Sequence, residues 1–151
     1  MQLCCAVENS IYNIPMSKVV RDIDLVGMKK TPTRVAVLSL FHKTSQPLDA
    51  DTICSLLEEK GIKSDRVTVY RTLNKLTDYS VLKRVEFGEG KFRFELASLP
   101  HHHHLICTNC GKIDDINECG VEDIEQKLQK RTGFLIQQHN AEFFGRCANC
   151  Q

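Results

Sequence analysis

The sequence predicts an α+β fold in two parts, a winged helix-turn-helix followed by a smaller α/β unit, on three observations. Three apolar repeats of helical period between residues 32 and 76 precede two strand-like runs joined across Gly88-Glu89-Gly90. The pattern breaks at Ala97-Ser98-Leu99-Pro100. Beyond the break, two Cys-x-x-Cys pairs bracket short strands and one helix.

The elements follow in chain order. A first helix is expected over residues 17–26, ending near Gly27. Thr31 is an N-cap and Pro32 fills the first helical position of the next, where its missing N–H costs nothing; Val35, Leu38 and Phe41 follow at helical spacing. Asp49 caps another helix with Ile53, Leu56 and Leu57 on its apolar face, and Gly61 ends it. Ser64 opens a third, with Val69, Leu73 and Leu76 at i, i+4 and i+7. Residues 81–87 and 91–96 then form the hairpin. Helices plus hairpin make a winged helix over residues 1–96; the competing reading is a small α+β domain with no role on DNA.

Residues 97–100 form a hinge, and residues 101–151 a second domain. It has strands at 105–107 and 112–116, a helix over 121–131 with Val121, Ile124 and Leu128 on one face, and a final strand over 134–144. At roughly 50 residues this part is too small to rest on a hydrophobic core alone, so it requires a staple or a partner chain.

Composition sets the class. Hydrophobic residues make up 42% and charged residues 26%, as in soluble globular proteins, and no apolar run approaches the ~20 residues of a membrane span. The first residues lack the form of a signal peptide, so the expected compartment is the cytoplasm, where eight cysteines point to metal ligands rather than disulfides. Net charge is only +1, but residues 60–93 carry nine Lys and Arg against four Asp and Glu. That excess suits a phosphate backbone, although a basic surface is often merely solvated.

Cys107-Thr108-Asn109-Cys110 and Cys147-Ala148-Asn149-Cys150 each place two thiolates on one side of a turn. Two such turns complete a closed, tetrahedral structural zinc site. A redox role would need a thioredoxin-like strand–helix context and would leave the second pair unexplained. Of the other cysteines, Cys54 lies on an apolar helix face, whereas Cys4, Cys5 and Cys119 have no partner spacing.

His101-His102-His103-His104 is the second metal signal. In an extended chain alternate imidazoles point to opposite sides, so His102 and His104 separate from His101 and His103 and serve two sites. Glu95, Asp114, Asp115, Glu122 and His139 are candidate co-ligands; the bland reading is a polar hinge.

These motifs together resemble the ferric uptake regulator family. The matching stretches are Thr31-Pro32-Thr33-Arg34, Thr68-Val69-Tyr70-Arg71-Thr72-Leu73, residues 101–112, Gly133-Phe134 with His139, and residues 145–150. The resemblance implies a homodimer with an N-terminal winged helix and a C-terminal dimerisation domain. It implies a repressor that binds double-stranded operator DNA when loaded with a regulatory divalent metal, and no organic cofactor or membrane. Carried residue by residue, the family's regulatory site falls on Glu95, His102, His104 and Asp115. A second site falls on His101, His103, Glu122 and His139, and the structural zinc on Cys107, Cys110, Cys147 and Cys150. Two positions depart from the family pattern. Pro47 stands where many members supply a histidine, and Asp115 stands where iron sensors often have Glu. Imidazole and carboxylate ligands without a thiolate favour Fe²⁺, with Mn²⁺ or Zn²⁺ as alternatives.

For DNA, burial of Val69, Leu73 and Leu76 leaves Thr68, Arg71, Asn74 and Lys75 on the other face, with Tyr70 at the flank. Arg and Asn read base edges, while Thr, Tyr and Lys anchor phosphates. The resemblance gives Tyr70 and Arg71 direct roles. Lys29, Lys30 and Arg34 are backbone or minor-groove candidates, and Lys91 and Arg93 on the hairpin would reach flanking phosphates. Two other classes compete: a hydrolase with an open His/carboxylate metal site, and a zinc-ribbon interaction module without DNA contacts.

Overall fold

Local capping chemistry starts the helices of the first part, in a computed structural model that describes residues 21–24 and 27–151. Residues 21–24 are helical; the rest of the helix expected over 17–26, together with Cys4 and Cys5, lies outside the described residues. Helix α1 spans Pro32–Phe41. Thr31 precedes it in extended conformation, and its hydroxyl accepts the Arg34 N–H at 3.4 Å. Asp49 caps α2, Ala50–Glu59, by accepting the Thr52 N–H at 2.8 Å. Helix α3 runs over Arg66–Asp78. Its cap is Asp65, not Ser64: the Asp65 carboxylate accepts both the amide (2.8 Å) and the hydroxyl (2.6 Å) of Thr68. A carboxylate with two donors is the stronger terminus, and it moves the helix start one residue along.

The three helices pack on an antiparallel sheet of order β1-β3-β2, made of Leu48–Asp49, Leu82–Glu86 and Phe92–Leu96. Strand β1 is too short to have announced itself in the sequence; it pairs Leu48 with Phe94 and Asp49 with Arg93. Between β2 and β3 the hairpin is wider than the glycine pair alone suggested, and Gly88 and Gly90 both take φ of 70°. Ile23, Leu38, Phe41, Ile53, Leu57, Val69, Leu73, Leu76, Leu82 and Phe94 fill the core, each at most 1% exposed.

A second sheet has order β5-β4-β6, with β4 His103–Cys107, β5 Ile113–Ile116 and β6 Glu142–Gly145. Strand β4 pairs antiparallel with β5 and parallel with β6. It begins two residues earlier than the periodicity suggested and so includes His103 and His104. Ile106 and Ile113 of this sheet bury against Phe87 and Val85 of the wing, joining the two sheets through a small apolar cluster.

Helix α4, Glu122–Thr132, crosses from β5 towards β6 and ends at Gly133, whose φ of 75° makes a left-handed cap. It has no buried residue. Ile124 is 54% and Leu128 36% exposed, so the face expected to be apolar is not covered by the described residues. The strand expected over 134–144 is confined to β6, and residues 134–141 have no regular structure. Phe134 and Leu135 stand 76% and 78% exposed there. Period-two patterning marks residues able to enter a sheet, but a strand forms only where a neighbour supplies the ladder.

Candidate metal centres and nucleic-acid face

Cys107 closes β4, Cys110 sits in the turn after it, and Cys147 caps and Cys150 ends the short 3₁₀ turn that follows β6. The parallel register of Cys107 with Gly145 therefore lays the two Cys-x-x-Cys turns side by side. All four sulfurs lie within 4.8 Å of one another. The Cys147 N–H donates to Cys107 Sγ at 3.3 Å. With the amides of Cys110 and Asn109 it lowers the Cys107 thiol to about 6. The Lys112 amide lowers Cys110 also, yet the neighbouring Cys107 and Cys147 sulfurs outweigh it and push that thiol up. Four sulfurs this close cannot all be thiolates without a cation, and a closed set of four suits structural Zn²⁺.

The even histidines meet Glu95. Across the hinge, His102 Nε2 and His104 Nε2 each lie 3.2 Å from Glu95 Oε2. His102 Nδ1–H donates to the Pro100 carbonyl at 2.6 Å, which turns Nε2 towards the carboxylate. Phe87 packs edge-on against the His104 ring at 5.1 Å. Burial raises the Glu95 carboxyl, but hydrogen bonds from His104 and Lys83 and the Lys83 charge prevail and hold it at about 2. Asp115 is not within the tight group of three. It stands opposite His104 in the β4–β5 register, on the same face, and its buried Oδ1 has no hydrogen-bond partner. An orphaned carboxylate oxygen beside two imidazoles and a carboxylate fits a divalent cation with nitrogen and oxygen ligands. Pro47 is buried and its carbonyl accepts from Arg93 at 3.4 Å. His42 is buried at the end of α1, with Nε2 3.0 Å from Asp22, and so does not take the place of the histidine absent at Pro47.

The odd histidines gather on the other face with His139, but the fourth member is Cys119 and not Glu122. Glu122 opens α4 and is exposed, while the loop between β5 and α4 brings Cys119 inward. One turn further on, Glu125 accepts from His139 Nδ1 at 2.8 Å. Burial, with His101 and His139 close by, pushes His103 below the usual imidazole range. Neither Cys119 nor Glu125 belongs to a ligand-spaced motif, so spacing alone could not find them; the histidine parity was the available signal.

On α3, Arg71 and Asn74 are exposed and Tyr70 and Lys75 half-buried. Arg84 Nη2 donates to Asn74 Oδ1 at 3.3 Å, so a base contact by Asn74 must displace this bond. Thr68 has its hydroxyl committed to Asp65. Val67, 57% exposed, shares a face with Arg71 and Asn74 and adds an apolar group able to meet a thymine methyl. It was missed because an isolated surface valine carries no signal. Lys30 pairs with Asp24 at 2.9 Å, and Arg34 Nη1 donates to the Lys29 carbonyl at 3.1 Å. Arg93 is held by Glu89, and Lys91 by Asp49 at 2.6 Å, which makes both parts of the wing's own frame.

Comparison with known proteins agrees with this architecture. The model of the Ferric uptake regulator family matches residues 25–144. The Ferric uptake regulation protein of Bordetella parapertussis is 35% identical over 127 residues, covering 83% of this chain and 91% of that protein. The protein of the same description from Bacillus subtilis is 32% identical over 139 residues, covering 89% and 93%. Among solved structures, a ferric uptake regulator from Francisella tularensis with iron superposes with a TM-score of 0.75 at 28% identity, covering 82% of this chain and 95% of that one. A family match over most of the chain, on a winged helix joined to a sheet that carries four convergent cysteines, establishes that this chain belongs to the ferric uptake regulator family.

Proposed function

We propose that the chain is a homodimeric, iron-responsive transcriptional repressor of the cytoplasm that binds operator DNA when Glu95, His102, His104 and Asp115 hold a divalent metal. One observation carries this reading: the cluster takes Glu95 from the wing strand β3, His102 from just past the hinge and His104 from strand β4, with Asp115 opposite His104 in the second sheet. A divalent ion bound there would neutralise the carboxylates and link three segments whose relative placement positions the winged helix. Each residue contributes separately. Pro100 fixes the His102 tautomer, Phe87 fixes the His104 ring, and the β3 pairing fixes Glu95. Binding can shift the chain towards its DNA-competent arrangement only by the difference in metal affinity between the arrangements.

Cys107, Cys110, Cys147 and Cys150 hold the structural zinc in this reading, and Tyr70, Arg71, Asn74 and Lys75 face the major groove. Lys30 and Arg34 serve the backbone. The exposed Ile124, Leu128, Phe134 and Leu135 supply the surface a second copy would cover. Iron is supported by the nitrogen and oxygen ligand set and by the iron-bound Francisella relative. No described helix is long and apolar enough to cross a membrane.

The experiment is a titration of the zinc-loaded chain with anaerobic Fe²⁺, Mn²⁺ and Zn²⁺, with and without peroxide, on duplexes the chain itself selects from a random pool. Tighter DNA binding with Fe²⁺ supports the iron reading; loss of that binding on peroxide treatment would move it to peroxide sensing. DNA affinity indifferent to all three metals would overturn it.

A further inference from the structure

The odd-histidine cluster differs in kind from the even one, because its fourth ligand is sulfur. His101 Nε2 lies 3.2 Å from His103 Nε2, which lies 3.2 Å from His139 Nε2. Cys119 Sγ is 3.4 Å from His103 Nε2 and 3.2 Å from His139 Nε2. The four ligand atoms lie within 4.8 Å of one another. A tetrahedron built on ~2.0 Å Zn–N and ~2.3 Å Zn–S bonds has edges of roughly 3.3–3.6 Å, close to this spacing. Converging nitrogens also make little sense as a hydrogen-bond network. With its Nδ1–H donated to Glu125, a neutral His139 presents an Nε2 lone pair to His103 Nε2, and charged rings this close would repel. The surroundings prepare His139 for a cation, since Glu125 accepts the hydrogen bond of its Nδ1–H and leaves Nε2 free to ligate.

We infer that His101, His103, Cys119 and His139 form a second, thiolate-containing metal site that selects Zn²⁺ over Fe²⁺ and Mn²⁺. Two physical terms set the selectivity. A soft thiolate favours zinc over the harder ions, and four protein ligands close a tetrahedron without the further oxygen ligands that six-coordinate Mn²⁺ or Fe²⁺ would require. A carboxylate from Glu122, which the family resemblance implies, would have removed both preferences. Among the described residues the chain therefore carries two sulfur-bearing zinc centres at opposite ends of β4, and the even cluster is left for nitrogen and oxygen chemistry. This inference stands apart from the operator reading, and either can fail alone.

Co²⁺ as a spectroscopic stand-in for Zn²⁺ tests it on the full-length reduced chain with the four-cysteine site already filled by zinc. Wild type, Cys119→Ser and Glu122→Gln are titrated with Co²⁺, and zinc content is measured in parallel against a competing chelator. A thiolate-to-cobalt band present in wild type and E122Q but missing from the difference spectrum of C119S supports the site. In C119S the last tightly held zinc should weaken at least about tenfold, while the four-cysteine zinc stays. A C119S spectrum identical to wild type, or loss of metal in E122Q but not in C119S, overturns the inference. Zinc X-ray absorption on the unmodified chain provides a second reading that needs no variant. Added zinc should arrive with one sulfur and three imidazoles, and arrival with nitrogen and oxygen ligands alone overturns the inference as well.

Discussion

Lys83 and Glu95 face each other in the β2–β3 register, and the Lys83 ammonium stands 2.8 Å from Oε1 of a carboxylate only 1% exposed. The pair places a cation at the mouth of the even cluster, on the wing side of the site. Metal must therefore compete with an ammonium for Glu95. Lys83→Met should tighten Mn²⁺ binding several-fold, because it removes both the ammonium held on Glu95 Oε1 and that charge's repulsion of an incoming cation. Isothermal titration of the zinc-loaded chain measures this. Weaker binding in the variant would show that Lys83 supports the site instead of competing for it.

Arg71 is exposed on α3 and free of ion pairs among the described residues. Arg71→Ala should weaken binding to selected duplexes by about 1–3 kcal/mol, roughly 5- to 150-fold, with zinc content unchanged. Lys75→Ala should act more evenly across sequences and reduce the salt slope by about one. Fluorescence anisotropy at several salt concentrations separates the two, and an unchanged R71A would favour the interaction-module class.

Asp49 joins the α2 cap to the wing through Lys91 at 2.6 Å. Burial raises its carboxyl, but the Lys91 and Thr52 hydrogen bonds bring it from 3.8 to about 2. A depressed folded pKa gives stability that is present above the unfolded value and lost as pH falls through the folded one. Asp49→Asn retains a capping oxygen and removes the charge, so it should cost roughly 2 kcal/mol near neutral pH. The gap from wild type should close between about pH 4 and pH 2. Paired urea melts across that range check the sign; a gap that grows on acidification would contradict it.

Phe134 and Leu135 expose more than three quarters of their surface next to the uncovered Ile124 and Leu128. If a second copy covers them, Leu135→Asp should shift the chain towards monomer, seen by light scattering after gel filtration, with the four-cysteine zinc retained. A dimer unaffected by L135D and by Leu128→Asp would place the interface elsewhere.

How far the sequence revealed this molecule depends on how local the determining physics is. Thr31-Pro32 and Asp49 declared their helix starts because a cap is a contact within three residues. Asp65 displaced Ser64 because two donors of Thr68 converge on a carboxylate, a preference that composition alone does not rank. The histidine parity was readable because strand alternation is fixed at two. Its consequence, two clusters on two faces of β4, follows directly. Cys119, Lys83 and Glu125 were not readable. Each reaches its partner through a loop or across a register, and nothing at their own positions marks them. The residues 134–141 misled for the opposite reason: their pattern suits a strand, but no described strand pairs with them.

In the proposed function, Glu95, His102, His104 and Asp115 couple a divalent metal to DNA affinity. The most direct test is DNA-binding anisotropy of the zinc-loaded chain with and without Mn²⁺, for wild type and for His104→Ala. The account predicts that Mn²⁺ raises wild-type affinity at least about tenfold, a coupling of about 1.4 kcal/mol, and leaves H104A unchanged. Equal enhancement in both proteins, or none in wild type, would contradict it.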